Sequence, residues 1–85
     1  MLEIFLNKKE NYTGAIAAYN RALEMDPKDK QVWLNKGDAL NVLGNYTGAI
    51  AAYNRALEID PNYVNAWDGK GWALNELGNY TQAIS

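Results

Sequence analysis

A chain of 85 residues, 48% apolar and 21% charged, is an ordinary small domain, too short to bury a large core and too apolar to stay disordered. A formal net charge of -2 offers no basic stripe to DNA, RNA or an anionic membrane, and the lack of both Cys and His removes disulfides, thiolate metal sites and the commonest acid/base side chain. No apolar run approaches the ~20 residues that a bilayer span needs and no signal peptide is recognisable, so membrane, nucleic acid, metal and cofactor are not expected and a cytoplasmic setting is.

Met1 to Lys9 carries Leu2, Phe5 and Leu6 at helical spacing, which predicts a short first helix. Asn11 to Asp26 places Ala15, Ile16, Tyr19, Ala22 and Leu23 on one apolar stripe, and Pro27 ends that helix, because Asp26 is pushed out of helical conformation and the proline has no N–H to donate. The glutamate at 10, where a helix-ending glycine would mark a turn, leaves open a continuous helix from Leu2 to Glu24. From Lys30 to Leu43 the residues Trp33, Gly37 and Leu40 share a face, and Gly44 is the kind of residue that closes a helix in the left-handed conformation. Asn45 or Thr47 then caps a second helix with Ala49, Ile50, Tyr53, Ala56 and Leu57 on its stripe, which ends at the turn around Pro61. Val64 to Leu77 repeats the first type, with Trp67, Gly71 and Leu74, closed by Gly78. Tyr80 to Ser85 opens another helix of the second type, so five full or nearly full helices and a stub are expected.

The chain is built on an internal repeat. Residues 45 to 61 match residues 11 to 27 at 16 of 17 positions, and residues 33 to 46 match residues 67 to 80 at 10 of 14, both with an offset of 34. A period in this range belongs to stacked supersecondary units. The pattern Trp33, Gly37, Leu40, Gly44, Tyr46, Ala49, Tyr53, Ala56, Pro61 resembles the tetratricopeptide repeat family, over the whole chain and about two and a half repeats. That resemblance implies an all-α fold of antiparallel helical hairpins stacked in a right-handed superhelix, an α-solenoid. Residues 1–85 then form one domain, with a partial repeat at 1–29, a full one at 30–63 and a truncated one at 64–85. It also implies that Gly37 and Ala49, like Gly71 and Ala83, let paired helices approach closely, with Trp33, Tyr46 and Tyr53 filling the interior. Lys36 and Lys70 depart from the family's usual Leu and are expected to lay their alkyl stems along the hairpin.

Function is sought in what the repeat does not specify. The two better copies of the first-type helix differ at Leu34/Asp68, Asn35/Gly69, Asp38/Trp72 and Val42/Glu76, spacings that fall on one side of a helix, opposite Trp33 and Leu40. By the resemblance this side lines a concave groove that holds peptides. The candidate partner-binding residues are therefore Gln31, Leu34, Asn35, Asp38, Asn41, Val42, Asn65, Asp68, Trp72, Asn75 and Glu76. The family's clamp of Lys, Arg and Asn around a terminal carboxylate is essentially absent, since Gln31, Asn65, Asn35 and Gly69 stand at its cationic positions and Ile4 where an Asn belongs. Negative charge at Asp38, Asp68 and Glu76 favours a neutral or basic peptide over an acidic tail.

The Asn-x-Thr sequons at Asn11, Asn45 and Asn79 read as copied helix caps rather than glycosylation acceptors. The carboxylates near each proline have no nucleophile or phosphate loop beside them, so no enzyme is expected. Two readings follow: a peptide-binding scaffold, and a structural, self-assembling unit, engineered or excised from a longer array. Near-identity of the copies favours the second. Its association would use Leu2, Phe5 and Leu6 at one end and Trp67, Leu74, Tyr80, Ala83 and Ile84 at the other, giving a homo-oligomer.

Overall fold

The computed structural model describes the backbone of residues 2–84 and the side chains of residues 9–79. Four helices and no strand occur among the described residues: α1 (Leu2–Met25), α2 (Lys30–Val42), α3 (Tyr46–Ile59) and α4 (Val64–Ile84). α1 packs on α2, α2 on α3, α3 on α4, and α2 also touches α4, which is an all-α helical repeat.

The central hairpin forms as the sequence predicts. Asp29 caps α2, its carboxylate accepting from the N–H of Gln31 at 3.1 Å and of Val32 at 3.3 Å, which satisfies two of the orphan donors of the first turn. α2 closes at Gly44, whose φ of 83° is open to glycine at little cost. There the N–H of Asn45 reaches the Leu40 carbonyl at 2.9 Å and that of Gly44 the Asn41 carbonyl at 3.0 Å, the paired bonds of a Schellman ending. Asn45 then caps α3 by accepting from the Gly48 N–H at 3.0 Å, while Thr47 donates to the same side-chain oxygen instead of capping.

The outer turns are not made, which corrects the expectation of five helices and a stub. α1 runs without a break through Glu10, a good helix former where a turn needs glycine, so the continuous alternative is the one adopted. α4 runs through Gly78. Glycine permits a turn without imposing one, and the turn at Gly44 is secured by α3 folding back onto α2. At Gly78 no described helix folds back in that way, and the helix propagates, gaining one hydrogen bond per residue. The copied sequon therefore caps a helix only at Asn45. Asn11 and Asn79 lie inside helices, and Thr13 near the first of them turns its hydroxyl back to the Lys9 carbonyl at 2.9 Å.

The core is centred on Tyr53, which is 0% exposed and is the largest fully buried side chain among the described residues. Its ring is held between two glycines. A Cβ at Gly37 of α2 would stand 2.6 Å from Tyr53 Cε1, and one at Gly69 of α4 would overlap Cζ. Gly69 is thus a packing position as well as a position that varies between the copies, whereas Gly71, expected to admit a close helix, faces open space. Leu34 is likewise in the core, at 5% exposure beside Ala49, Ala56, Leu57, Ala66 and Ala73. Trp33 is only partly buried, against the edge of this cluster.

At the other end of the helices the proline turns are tied in a repeated way. The Trp33 indole donates to the Pro27 carbonyl at 2.8 Å and the Trp67 indole to the Pro61 carbonyl at 2.7 Å. Lys36 and Lys70 sit over these two rings, each with Nζ 5.3 Å from the ring centroid, a cation–π arrangement within one helix. Lys30 pairs with Asp60 at 2.6 Å across the repeat, and that bond, followed by the Asn62 N–H, holds the Asp60 carboxyl below its ordinary range.

Candidate functional site

Between α2 and α4 lies a groove lined by Leu34, Asp38, Asn41 and Val42 on one side and Asn65, Asp68, Gly69 and Trp72 on the other, with Tyr53 as its floor. A second groove, between α1 and α2, is lined by Asn11, Tyr12, Ala15, Tyr19, Asn35, Asp38, Ala39 and Val42. Asp38 and Val42 belong to both, so the two form one surface crossing α2. Seven of the eleven sequence-predicted residues line the first groove, and Asn35 joins the second.

The remaining three take other places. Gln31 sits at the turn end, accepting from the Tyr63 hydroxyl at 3.0 Å and donating to Asn35 Oδ1 at 3.1 Å, so its amide is occupied in tying the repeats together. Asn75 and Glu76, further along α4, line neither groove. The residues expected to drive association divide as well. Trp67 and Leu74 are 52% and 51% exposed, while Leu2, Phe5, Leu6, Tyr80, Ala83 and Ile84 lie outside the described side chains.

Asp38 is more than a groove wall. The Tyr53 hydroxyl donates to Asp38 Oδ1 at 2.5 Å and accepts from Asn41 Nδ2 at 2.9 Å, and Asn41 Nδ2 also reaches the Gly69 carbonyl at 3.4 Å. The network gives the buried phenol both a donor and an acceptor, as a buried hydroxyl requires. It also fixes the Asp38 carboxylate on the wall that the two grooves share. Burial first, and then the bond to Asp38, push the Tyr53 phenol up from its ordinary value. Asn41 is 8% exposed, yet its Oδ1 is buried with no donor among the described residues. Sequence reasoning placed Asn41 among the groove residues but missed its partnership with Tyr53. The signal available was an Asn recurring as Asn41 and Asn75 beside the positions that vary between the two copies.

The chemistry of the surface is one-sided. Neither groove is lined by a Lys or Arg among the described residues, and the cations nearest in sequence are held elsewhere, Lys36 over Trp33, Lys70 over Trp67 and Lys30 on Asp60. Carboxylates come from Asp38 and Asp68, and Asn65 adds an amide that both donates and accepts. Trp72 adds a half-exposed indole, set edge-on to Tyr46 with ring centroids 5.7 Å apart and planes at 66°. No group of three or more acidic residues among the described residues is arranged to hold a metal ion. None of the described helices is long and apolar enough to cross a membrane.

The arrangement of four stacked helices has known counterparts. A solved structure of the TPR2B domain of yeast Sti1 in complex with pHsp70 is similar to this chain at 33% identity and a TM-score of 0.77, covering 89% of this chain and 61% of that one. The chain therefore spans less than two thirds of that domain's length. Comparison with curated protein sequences gives no match. Two family models, each described as Tetratricopeptide repeat, match residues 8–64 and residues 52–85. A repeat period of 34 residues, a hairpin closed at Gly44 and these matches over nearly the whole chain lead to one conclusion: the protein belongs to the tetratricopeptide repeat family.

Proposed function

We propose that this chain is a non-catalytic protein-interaction scaffold that binds extended peptide segments across the face formed by α1, α2 and α4, with neutral or basic segments preferred. The observation that carries this reading is the groove itself, in which Asp38 and Asp68 stand without any lining cation beside the exposed Trp72 ring. Carboxylates without a lining cation suit a ligand rich in N–H groups, and carboxylates beside an aromatic face suit lysine or arginine. An acidic tail meets like charge and no clamp. The Sti1 domain, solved with pHsp70, supports a protein or peptide as the partner class.

Anisotropy titrations with labelled extended peptides, matched in length and carrying lysine, neutral or glutamate side chains, test it. The basic peptide is expected to bind best, and Asp68→Lys to weaken it several-fold while improving the acidic one. Equal affinity for all three, unchanged by Asp68→Lys, overturns the reading.

A second reading, self-assembly into a homo-oligomer, is favoured by a separate observation. The apolar face of α4 bearing Trp67 and Leu74 stands half exposed, whereas the matching α2 face with Trp33 and Leu40 is partly buried against the core.

A further inference from the structure

The open faces of α1 and α4 are two halves of a contact that the chain already contains once, between α2 and α3. On α2, Trp33, Gly37 and Leu40 receive α3, with Gly37 buried under Tyr53. α4 repeats this face as Trp67, Gly71 and Leu74, down to the indole bond to the proline carbonyl and the lysine over the ring. It is built, yet uncovered. Gly71 is exposed and a Cβ there meets nothing within 4 Å.

The complementary surface is on α1. Its residues 11–25 differ from α3 residues 45–59 only at Met25/Ile59, and α1 meets α2 as α3 meets α4. Burial that α3 has and α1 lacks therefore marks the side of α3 that α2 covers. Ala52 is 2% exposed and Ala49 and Ala56 0%, while their counterparts Ala18, Ala15 and Ala22 are exposed or only partly buried.

We infer that the Trp67–Gly71–Leu74 face of α4 is a docking site for the Asn11–Met25 part of α1 from a second copy of this chain, in the register in which α3 packs on α2. This rests on the self-assembly reading and specifies its interface. α4 is continuous through Gly78 and α1 through Glu10, so among the described residues no helix returns onto either face. The two surfaces are different, so the contact is head-to-tail and continues the helical stack from one chain into the next.

Two substitutions block one face each and leave the single chain alone. Gly71→Leu fills the place that Tyr19 of the second copy takes, and Ala18→Arg puts a cation where the counterpart Ala52 is enclosed. At low concentration Ala18→Arg is expected to match the unmodified chain in helicity and melting temperature, and Gly71→Leu to equal or exceed it, because glycine inside a helix costs stability. In size exclusion with light scattering, the mass of the unmodified chain is expected to climb with concentration past two chains, and each variant alone to stay at one. An equimolar mixture of the two variants, which still holds one open face of each kind, is expected to form a two-chain species and grow no further. If the unmodified chain stays at one chain throughout, both this interface and the self-assembly reading fall. If it associates but both variants associate equally well, or if it stops at a closed dimer, association stands and this interface is overturned.

Discussion

Tyr53 is the residue on which the hairpin and the groove both depend, and it explains why Asp38 and Asp68 are not equivalent despite similar exposure. Both are expected from sequence as groove residues, and they differ because only Asp38 accepts from the buried phenol. Asp38→Ala is expected to cost about 1 to 2 kcal/mol, since it removes a charged acceptor from a buried hydroxyl. Asp68→Ala should stay within about 0.5 kcal/mol, the usual range for surface sites. Urea denaturation of both, with Tyr53→Phe to complete a double-mutant cycle against Asp38, measures this, and a zero coupling between Asp38 and Tyr53 contradicts it. Gly37→Val, whose Cβ falls on the Tyr53 ring, is expected to cost about 1 to 3 kcal/mol by overpacking. The same change at Gly71 is expected to leave the tertiary packing of the single chain alone.

The raised phenol also gives a pH signature. A group whose folded pKa lies above its unfolded value near 10.0 contributes stability that is fully present below that value and is lost as pH rises toward the folded value. Stability is therefore expected to fall above about pH 10, the ordinary tyrosine range, and to fall less steeply in Tyr53→Phe. Alkaline denaturation followed by circular dichroism checks the difference between the two proteins.

At the scale of the element, the two glycines that end identical LGNY segments behave in opposite ways. Gly44 takes positive φ and Gly78 stays helical. Gly44→Ala is expected to destabilise by about 1 kcal/mol, because alanine resists the left-handed region. Gly78→Ala is expected to stabilise by a similar amount, as in any helix interior. Melting temperatures that move in opposite directions verify the assignment, and parallel losses contradict it.

These elements also mark what was legible beforehand. The period, the proline turns, the cap at Asn45 and the ending at Gly44 are local chemistry, so they stand in the sequence. The unbroken courses of α1 and α4 depend on whether a returning helix has a partner to pack on, which no local window contains. The same holds for Gly69. Its counterpart Asn35 looks out into a groove, so comparing the two copies marks the position as variable surface. Only the placement of Tyr53 between α2 and α4 turns it into a packing site.

For the whole molecule, stacking divides the surface into roles. Repeated positions bury one another, with Trp67 and Leu74 left half exposed, and the positions that differ between copies, Glu76 apart, line the two grooves. Charge follows the same division, since the described lysines at 30, 36 and 70 are tied to the turns and rings of the repeat and the groove keeps only carboxylates. The central claim, that the groove is a peptide site of stated polarity, is tested most directly by mapping backbone amide shifts in 15N spectra during titration with a lysine-bearing extended peptide. Saturable shifts are expected to cluster at Leu34 to Val42 and Asn65 to Trp72, with Asp38 and Trp72 among the largest, and to be absent with a glutamate-bearing peptide. Shifts confined to the Trp33 and Pro27 side, or a stronger response to the acidic peptide, would contradict the account.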